Sequence, residues 1–185
     1  MPRQQELLKV AAFDLETSGL NADFGILLVS CVQEQGGRMW TQVHASDQWS
    51  DDSAIVTATI AQLSQYDVLV AHNGVRFDLP WLNSRASHHG LAPLPPTLKI
   101  LDPVLMARKR FRISYNGLER VASFLGVAEK KTPVDGQIWV RATLDRDPEA
   151  LDYIKKHCIR DVEVLNKVMA RMRPYLGRIN EWGSA

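Results

Sequence analysis

Short apolar segments, rich in leucine and β-branched residues, recur through the first half of the chain. Near-continuous apolar runs of this length are typical of strands that are covered on both faces. They lie at residues 7–15, 26–32, 38–43, 67–71 and 98–101. Turn residues separate them, as Gly36 and Gly37 do before the third run. The pattern therefore predicts strands at these positions.

Other segments carry apolar residues at helical spacing. They lie at residues 52–63, 79–87, 116–126 and 147–172. Residues 116–119 resemble a capping box, and Gly126 is placed to end that helix. The last helix has a strong start signal, Asp147 as N-cap followed by Pro148. Helices interleaved with strands predict an α/β domain with a mixed sheet, and the absence of a long linker predicts a single domain over residues 1–185.

Composition narrows the class of protein without identifying it. The 185 residues are 45% hydrophobic and 23% charged, with a net charge of +1, which is ordinary for a soluble globular domain. No apolar run approaches the roughly 18 residues that cross a bilayer, so no membrane association is expected. Cys31 and Cys158 lie in apolar contexts and are expected to be core thiols in a reducing, cytoplasmic setting. The basic residues 108–112 and 130–131 are either nucleic-acid patches or solvated surface charge.

Two carboxylates lie close together at the end of the first predicted strand. Asp14 and Glu16 are two residues apart, so their side chains share one face while Phe13 and Leu15 face the opposite side. Paired oxygen ligands suit a hard cation such as Mg²⁺ or Mn²⁺. The turn that begins at Thr17 leaves this strand end open to a ligand.

A third carboxylate follows the predicted strand at residues 67–71. A loop containing Asn73 leads to Phe77 and Asp78 at the start of a predicted helix. Asp78 either caps this helix and complements its dipole, or joins a site at the strand end, where α/β proteins often bind ligands.

The last helix carries a histidine and an aspartate at i, i+4. His157 and Asp161 therefore lie on one face, one turn apart, at the edge of the apolar stripe. They form either a local hydrogen bond or a functional pair. In the functional pair, Asp161 would bind a metal and His157 would accept a proton from water.

In this order along the chain, the three motifs resemble the DEDD superfamily of 3′–5′ exonucleases, which have an RNase H-like fold. The resemblance covers residues 13–165. It implies that four carboxylates bind two divalent cations, Mg²⁺ or Mn²⁺. These are Asp14, Glu16, Asp78 and Asp161. It further implies that the chain hydrolyses single-stranded DNA or RNA from the 3′ end and releases nucleoside 5′-monophosphates.

The spacing at His157 departs from the family pattern. The family carries either a tyrosine four residues before the last aspartate or a histidine five residues before it. This chain has His157 four before and Lys156 five before Asp161. We take His157 as the residue that activates water, because a histidine near neutral pKa is a suitable general base.

The resemblance also implies a set of residues that would lie beside the terminal nucleotide. It consists of Thr17, Leu20, Asn73 and Phe77. Leu20 and Phe77 either pack against bases, as apolar groups do for single strands, or belong to the core. Asp102 is expected to be a supporting acid, and Trp139 and Trp182 are candidates for exposure to a partner.

Two other functions remain open from the sequence. The unusual His157 spacing is compatible with a catalytically weak RNase H-like module that binds nucleic acid or a partner. Alternatively, the acids are structural caps in an α/β protein of unrelated function. If the chain is a nuclease, we expect recruitment by a replication, repair or RNA-processing partner.

Overall fold

The structure is a computed structural model that describes residues 8–127 and 135–176. Within these residues a mixed sheet forms the centre of the fold. Its strands are β1 (Val10–Thr17), β2 (Leu27–Glu34), β3 (Met39–Val43), β4 (Val68–Val70) and β5 (Lys99–Leu101). The strand order is β3-β2-β1-β4-β5. β1, β2 and β3 pair antiparallel, whereas β4 and β5 run parallel to β1 and to each other. The expected α/β fold with a mixed sheet is confirmed.

Helices cover both faces of this sheet. They are α1 (Ser53–Leu63), α2 (Asp78–His88), α3 (Pro103–Arg110), α4 (Leu118–Phe124), α5 (Gly136–Val140) and α6 (Pro148–Met172). α6 packs on one face and contributes Ile154, Cys158 and Val162 to the core there. α1 and α2 cover the other face. Among the helices of the described residues, none has the length and apolarity needed to cross a bilayer.

The central strand β1 divides its side chains between the two cores. Ala11, Phe13 and Leu15 belong to the core beneath α1 and α2, whereas Ala12 belongs to the core beneath α6. Alternation along the strand therefore directs Asp14 and Glu16 toward α6, and the two acids share one face opposite Phe13 and Leu15, as the sequence predicted. The register with β2 becomes irregular between Glu16 and Thr17, where the strand ends.

Two helical segments were not predicted from the sequence. α3 starts with Asp102 as N-cap, whose side chain accepts a hydrogen bond from the Val104 N–H, and with Pro103 at the first turn. This is the same signal that begins α6. The basic residues 108–110 are the exposed end of α3, where cations complement the helix dipole.

α5 and the π-helical turn that follows it (Arg141–Asp145) are the second unpredicted segment. Trp139 lies here and is half-buried, packed against the core beneath α6. Trp139 is therefore only partly exposed, and its expected contact with a partner stays a prediction. The basic pair at 130–131 and Trp182 lie outside the described residues.

The predicted capping box at residues 116–119 is also wrong. α4 begins one residue later than that pattern requires, with Gly117 at the N-cap. Glycine has no side chain to bond the first turn, and Glu119 lies in that turn, where an acid complements the helix dipole. At the other end Gly126 does end the helix, with a φ of 71° that favours glycine.

A buried ion cluster joins α1, α2 and the start of β2. The Asp52 carboxylate lies 2.6 Å from an Arg85 guanidinium nitrogen and 2.5 Å from His89 Nε2. It also accepts a hydrogen bond of 2.8 Å from the Leu27 N–H. Burial acts to raise the pKa of Asp52, but the hydrogen bonds from Arg85, Leu27 and His89 outweigh it and hold this pKa below its usual value. Arg85 also donates to the Ala22 carbonyl, which ties the β1–β2 loop to α2.

Removal of the Asp52 carboxylate should destabilise the protein strongly. Asp52→Ala leaves the Arg85 charge buried without its partner, and we expect a loss of about 3–5 kcal/mol in the free energy of unfolding. Urea unfolding followed by circular dichroism measures this loss. Asp47→Ala is the matched control, because Asp47 is exposed, and it should unfold like the wild type. Equal stability of the two variants would contradict the assigned role of the cluster.

Candidate active site

Carboxylates from three distant segments converge at the open end of β1. Asp14 and Glu16 come from β1, Asp78 is the first residue of α2, and Asp161 lies on α6. Burial raises the pKa of Asp14 well above its usual value, and the charges of Glu16, Asp78 and Asp161 raise it further. The geometry agrees with this for three of the acids: carboxylate oxygens of Asp14 and Glu16 lie within 4.8 Å of each other, and the His157 side chain lies 3.9 Å from Glu16 and 3.6 Å from Asp161.

Burial and neighbouring negative charges also raise the pKa values of Glu16 and Asp78, two further acids of this carboxylate cluster (Asp14, Glu16, Asp78 and Asp161). Burial raises the pKa of Glu16 to about 8, Asp161 adds to the rise, and a hydrogen bond from the Trp139 side chain opposes it. Burial raises the pKa of Asp78 to about 7, although backbone N–H groups of Asp78 and Leu15 donate to its carboxylate and oppose the rise. Asp78 is therefore more than an exposed acid that complements the α2 dipole.

His157 lies between two of these carboxylates and is 4% exposed. Its Nε2 atom is 3.9 Å from Glu16 Oε1 and 3.6 Å from Asp161 Oδ2. Both distances exceed hydrogen-bond lengths, so the simple local hydrogen bond between Nε2 and Asp161 that the spacing allowed is not formed. The His157 and Trp139 rings form a T-shaped contact, with ring centroids 5.6 Å apart at an interplanar angle of 87°.

The two cysteines lie directly behind the cluster. Both thiols are free and buried, as the sequence predicted. Cys31 lies opposite Asp14 in the β1–β2 register, and Cys158 Sγ donates to the Asp14 carbonyl oxygen at 3.4 Å. Cys158 Sγ and one carboxylate oxygen each from Asp14 and Glu16 lie within 4.8 Å of one another.

This donor set fits a divalent cation. The carboxylate oxygens that face the opening are hard ligands of the kind that Mg²⁺ and Mn²⁺ prefer. Burial is the main cause of the raised pKa values of Asp14, Glu16 and Asp78, and repulsion from neighbouring carboxylates adds to it. A bound cation would relieve that repulsion, so these residues are chemically suited to hold one.

The four residues expected to border a nucleotide lie at the end of β1, in the turn that follows it, and in the loop before α2. Leu20 is 83% exposed and so is not a core residue, whereas Phe77 is half-buried against the core beneath α1 and α2. Both contribute to the wall of an open groove of about 570 Å³. The Thr17 hydroxyl donates to the Gly19 carbonyl within the turn after β1. Asn73 adopts a left-handed conformation, with a φ of 66°.

Asp102 holds the loop that contains Asn73. Its buried carboxylate accepts hydrogen bonds from the backbone N–H groups of Asn73, Val75 and Val104, at 3.0, 3.3 and 2.9 Å. Asp102 therefore supports the loop from below and caps α3. The expectation of a supporting acid agrees with this geometry.

Sequence reasoning missed the contribution of Trp139 to this site. Its helix, α5, was not predicted, and no spacing rule connects Trp139 to residues of β1 or α6. The tryptophan itself was visible in the sequence, but its contact with Glu16 and His157 depends on tertiary packing.

The sheet order, the flanking helices and the acids at the end of β1 define an RNase H-like α/β domain. Residues 11–173 match the model of the RNase_H superfamily, and the chain belongs to this family.

Similar proteins agree with this fold. The chain is 29% identical over 93 residues to a DNA polymerase of Methanocaldococcus jannaschii, a match that covers 45% of this chain and 6% of the polymerase. A family B DNA polymerase from the archaeon Pyrobaculum calidifontis superposes with a TM-score of 0.77 at 20% identity, over 91% of this chain and 25% of that one. A structure described as the apo form of a nuclease superposes with a TM-score of 0.59 at 20% identity, over 93% of this chain and 76% of that one.

The chain thus spans only a small part of the polymerases that it resembles. At these identities the structural likenesses establish the fold. Together with the family match, they support a nucleic-acid-processing RNase H-like domain.

The raised pKa values predict how the stability of the metal-free protein depends on pH. Unfolded Glu16 and Asp78 titrate near pH 4, but in the folded protein their pKa values rise to about 8 and about 7. The folded state therefore retains protons that the unfolded state has released, and their contribution to stability is complete only below about pH 4. It is lost as the pH rises through the folded pKa values. We expect the melting temperature in EDTA to fall by several degrees between about pH 6 and pH 8.

Glu16→Gln provides the control for this measurement. The amide does not ionise, so the melting temperature of the variant should fall less over the same pH range. Excess Mn²⁺ should raise the wild-type melting temperature most at pH 8, where the acids are most ionised. A wild-type melting temperature that stays constant or rises over this range would contradict the electrostatic account.

Proposed function

We propose that this protein is a metal-dependent 3′–5′ exonuclease of the DEDD superfamily. One observation carries the proposal: four carboxylates from β1, α2 and α6 are close enough to repel one another beside a histidine. A protein that used these acids only as structural caps would gain nothing from this repulsion, which costs stability. The arrangement is understandable if the acids share bound cations.

The four acids of the carboxylate cluster would hold two divalent cations, Mg²⁺ or Mn²⁺. When bound, such ions stabilise charge on a phosphoryl group and make a bound water more acidic. The carboxylate oxygens of these four acids, which would bind the cations, point toward the open end of β1. Because Asp14 lies in a paired strand and Asp161 in a long helix, their positions are set by rigid elements.

We assign His157 the role of accepting the proton of the attacking water. It lies on the same helix as Asp161, one turn earlier, and its Nε2 atom faces both Glu16 and Asp161. An imidazole in this position can accept the proton as the water attacks phosphorus. The four-residue spacing before Asp161 thus brings the histidine to the cluster, which favours catalysis over the weak binding module.

The groove lined by Leu20 and Phe77 is assigned to the terminal nucleotides of a single strand, because Phe77 directly precedes Asp78 in the chain. Exposed Leu20 can pack against a base, and Phe77 forms part of the same wall. The Asn73 loop and the Thr17 turn would border the sugar at the 3′ end. By analogy with the polymerases that share this fold, we propose 3′ ends of DNA or RNA as the substrate and a replication, repair or RNA-processing partner for delivery.

Asp14→Asn should abolish nuclease activity. The variant loses one charged ligand, so the rate of 3′ shortening of a 5′-labelled single-stranded oligonucleotide in Mn²⁺ should fall by orders of magnitude. Its metal-free melting temperature should rise, because the repulsion within the cluster is smaller. Denaturing gels report the shortening, and EDTA should stop it in the wild type.

Two controls sharpen this experiment. Asp47→Asn removes an exposed acid outside the cluster and should cleave like the wild type. An oligonucleotide blocked at its 3′ end should resist the wild-type enzyme. Full activity of Asp14→Asn would refute the proposed site, and stable binding by the wild type without shortening would favour the weak binding module instead.

His157→Ala should lower kcat by about 10²–10⁴-fold with little change in KM, because the lost group acts on the proton rather than on the substrate. Lys156→Ala is the matched control. Lys156 occupies the position five residues before Asp161, but its side chain is 70% exposed and its ammonium pairs with Asp152. The kcat and KM of Lys156→Ala, measured by steady-state kinetics, should match those of the wild type. If Lys156→Ala lost activity while His157→Ala kept it, the role of accepting the proton would belong to Lys156 rather than to His157.

A further inference from the structure

Tyr115 is an exposed aromatic residue in the segment that joins α3 to α4, and the motifs that supply the carboxylate cluster do not include it. It is 69% exposed, so much of its apolar surface meets water, which is unfavourable. We propose that Tyr115 and the basic residues around it form a further contact for single-stranded nucleic acid, in which the Tyr115 ring stacks on a base. This inference rests on the proposed function, because it concerns the same substrate.

One hydrogen bond ties this segment to the proposed site. His72 Nε2 donates to the Asn116 carbonyl at 2.9 Å. The residue that follows Tyr115 is therefore bonded to the residue that precedes Asn73, in the loop that leads to Asp78. Tyr115 thus lies beside the loop that would border the sugar at the 3′ end.

The segment also lies on the face of the sheet where the acids are. α4 and α6 share one buried cluster, which contains Val121 of α4 and Val168 of α6. Asp14 and Glu16 point toward α6, whereas the groove that we assign to the terminal nucleotides lies beside α2. A strand that approaches the carboxylate cluster on the α6 face would meet Tyr115.

Gly117, the N-cap residue of α4, leaves room for the Tyr115 ring. A Cβ atom at residue 117 would lie 2.4 Å from Cε1 of that ring, well inside van der Waals contact. Any residue can adopt the φ of −65° and ψ of 153° found at Gly117, and serine or aspartate would cap the helix better. Space for the ring therefore accounts for glycine here, and the ring is positioned without being buried.

Cations are concentrated around Tyr115. The whole chain has a net charge of +1, but residues 108–120 carry five cationic side chains and a single acid, Glu119. The five cations are all exposed: Arg108, Lys109, Arg110, Arg112 and Arg120. The dipole of α3 accounts for the three in its last turn, but not for Arg112 and Arg120.

The start of α3 fixes how far these charges lie from the site. Asp102 accepts hydrogen bonds from the backbone of both Asn73 and Val104, so α3 begins against the Asn73 loop. Its eight residues extend about 12 Å, which keeps its basic end close to that loop. A cationic surface beside an exposed ring matches the phosphates and bases of a single strand.

Tyr115→Ala should weaken binding of a single-stranded oligonucleotide by about 5–100-fold, because a stack between a base and an aromatic ring is lost. Fluorescence anisotropy measures the dissociation constant, in EDTA so that the strand stays intact. Tyr115→Phe is the matched control, because it keeps the ring, and it should bind like the wild type.

Gly117→Ser separates a binding role from a structural one. Serine is the better N-cap, so the melting temperature should be at least that of the wild type. Its Cβ atom displaces the Tyr115 ring, so the affinity for the oligonucleotide should fall toward that of Tyr115→Ala. Wild-type affinity in both Gly117→Ser and Tyr115→Ala would overturn the inference.

The double variant Arg110→Ala, Arg112→Ala tests the contacts with phosphate. Each lost contact should reduce the slope of log K against log salt concentration by about 0.7 for a single strand. Arg38→Ala is the matched control, because Arg38 is exposed between β2 and β3, at the opposite edge of the sheet from β5. A double variant with the same slope as the wild type and Arg38→Ala would contradict the assigned basic surface.

These measurements do not depend on turnover, so failure of the inference differs from failure of the proposed function. Binding that depends on Tyr115, in a protein that shortens no strand, would refute the exonuclease and support the inference. A wild-type protein that shortens oligonucleotides, with Tyr115→Ala equal to it in binding and cleavage, would overturn the inference alone. A wild-type protein that binds no single strand would overturn both.

Discussion

Repulsion among buried carboxylates is the constraint on which the rest of this structure depends. Asp14, Glu16 and Asp78 are poorly solvated, and each has a pKa well above that of a free carboxyl group. Transfer of charge from water into a protein is costly unless a partner compensates it. The fold must therefore hold these groups together against their mutual repulsion, and it does so with rigid elements around the site.

Elements on both faces of the sheet support the carboxylate cluster. On one face, α6 packs along the central strands, so that its own acid and histidine approach β1 across a dry core. On the other face, the pair formed by Asp52 and Arg85 fixes α1, α2 and the β1–β2 loop. Asp102 likewise fixes the loop around Asn73, because its carboxylate accepts hydrogen bonds from the backbone of that loop. Buried polar groups thus support the cluster while each of them is itself satisfied.

The chemistry proposed for the site follows from this arrangement. Acids that repel one another are poor structural elements and good ligands for divalent cations. A histidine beside them is suited to accept a proton, provided that it does not pair closely with a neighbouring carboxylate. The family, the fold and the proposed reaction are consistent with one another, because the RNase H-like sheet supplies the central strand on which two of the acids lie.

Local patterns were sufficient for those parts of the protein that depend on neighbours in sequence. The strands, the long helix from Pro148, the shared face of Asp14 and Glu16 and the i, i+4 relation of His157 and Asp161 all follow from backbone periodicity. Propensity was a poorer guide in short segments: the expected capping box before α4 did not form, and α3 and α5 were missed.

Tertiary structure alone decided which distant groups meet. The strand order, the approach of Asp78 and Asp161 to β1 and the contact of Trp139 with Glu16 and His157 are long-range pairings. No local period encodes them, because they arise only when separate apolar faces are buried against one another. The sequence by itself determined the elements and the types of chemical group that they carry, whereas packing determined the distances at which those groups act.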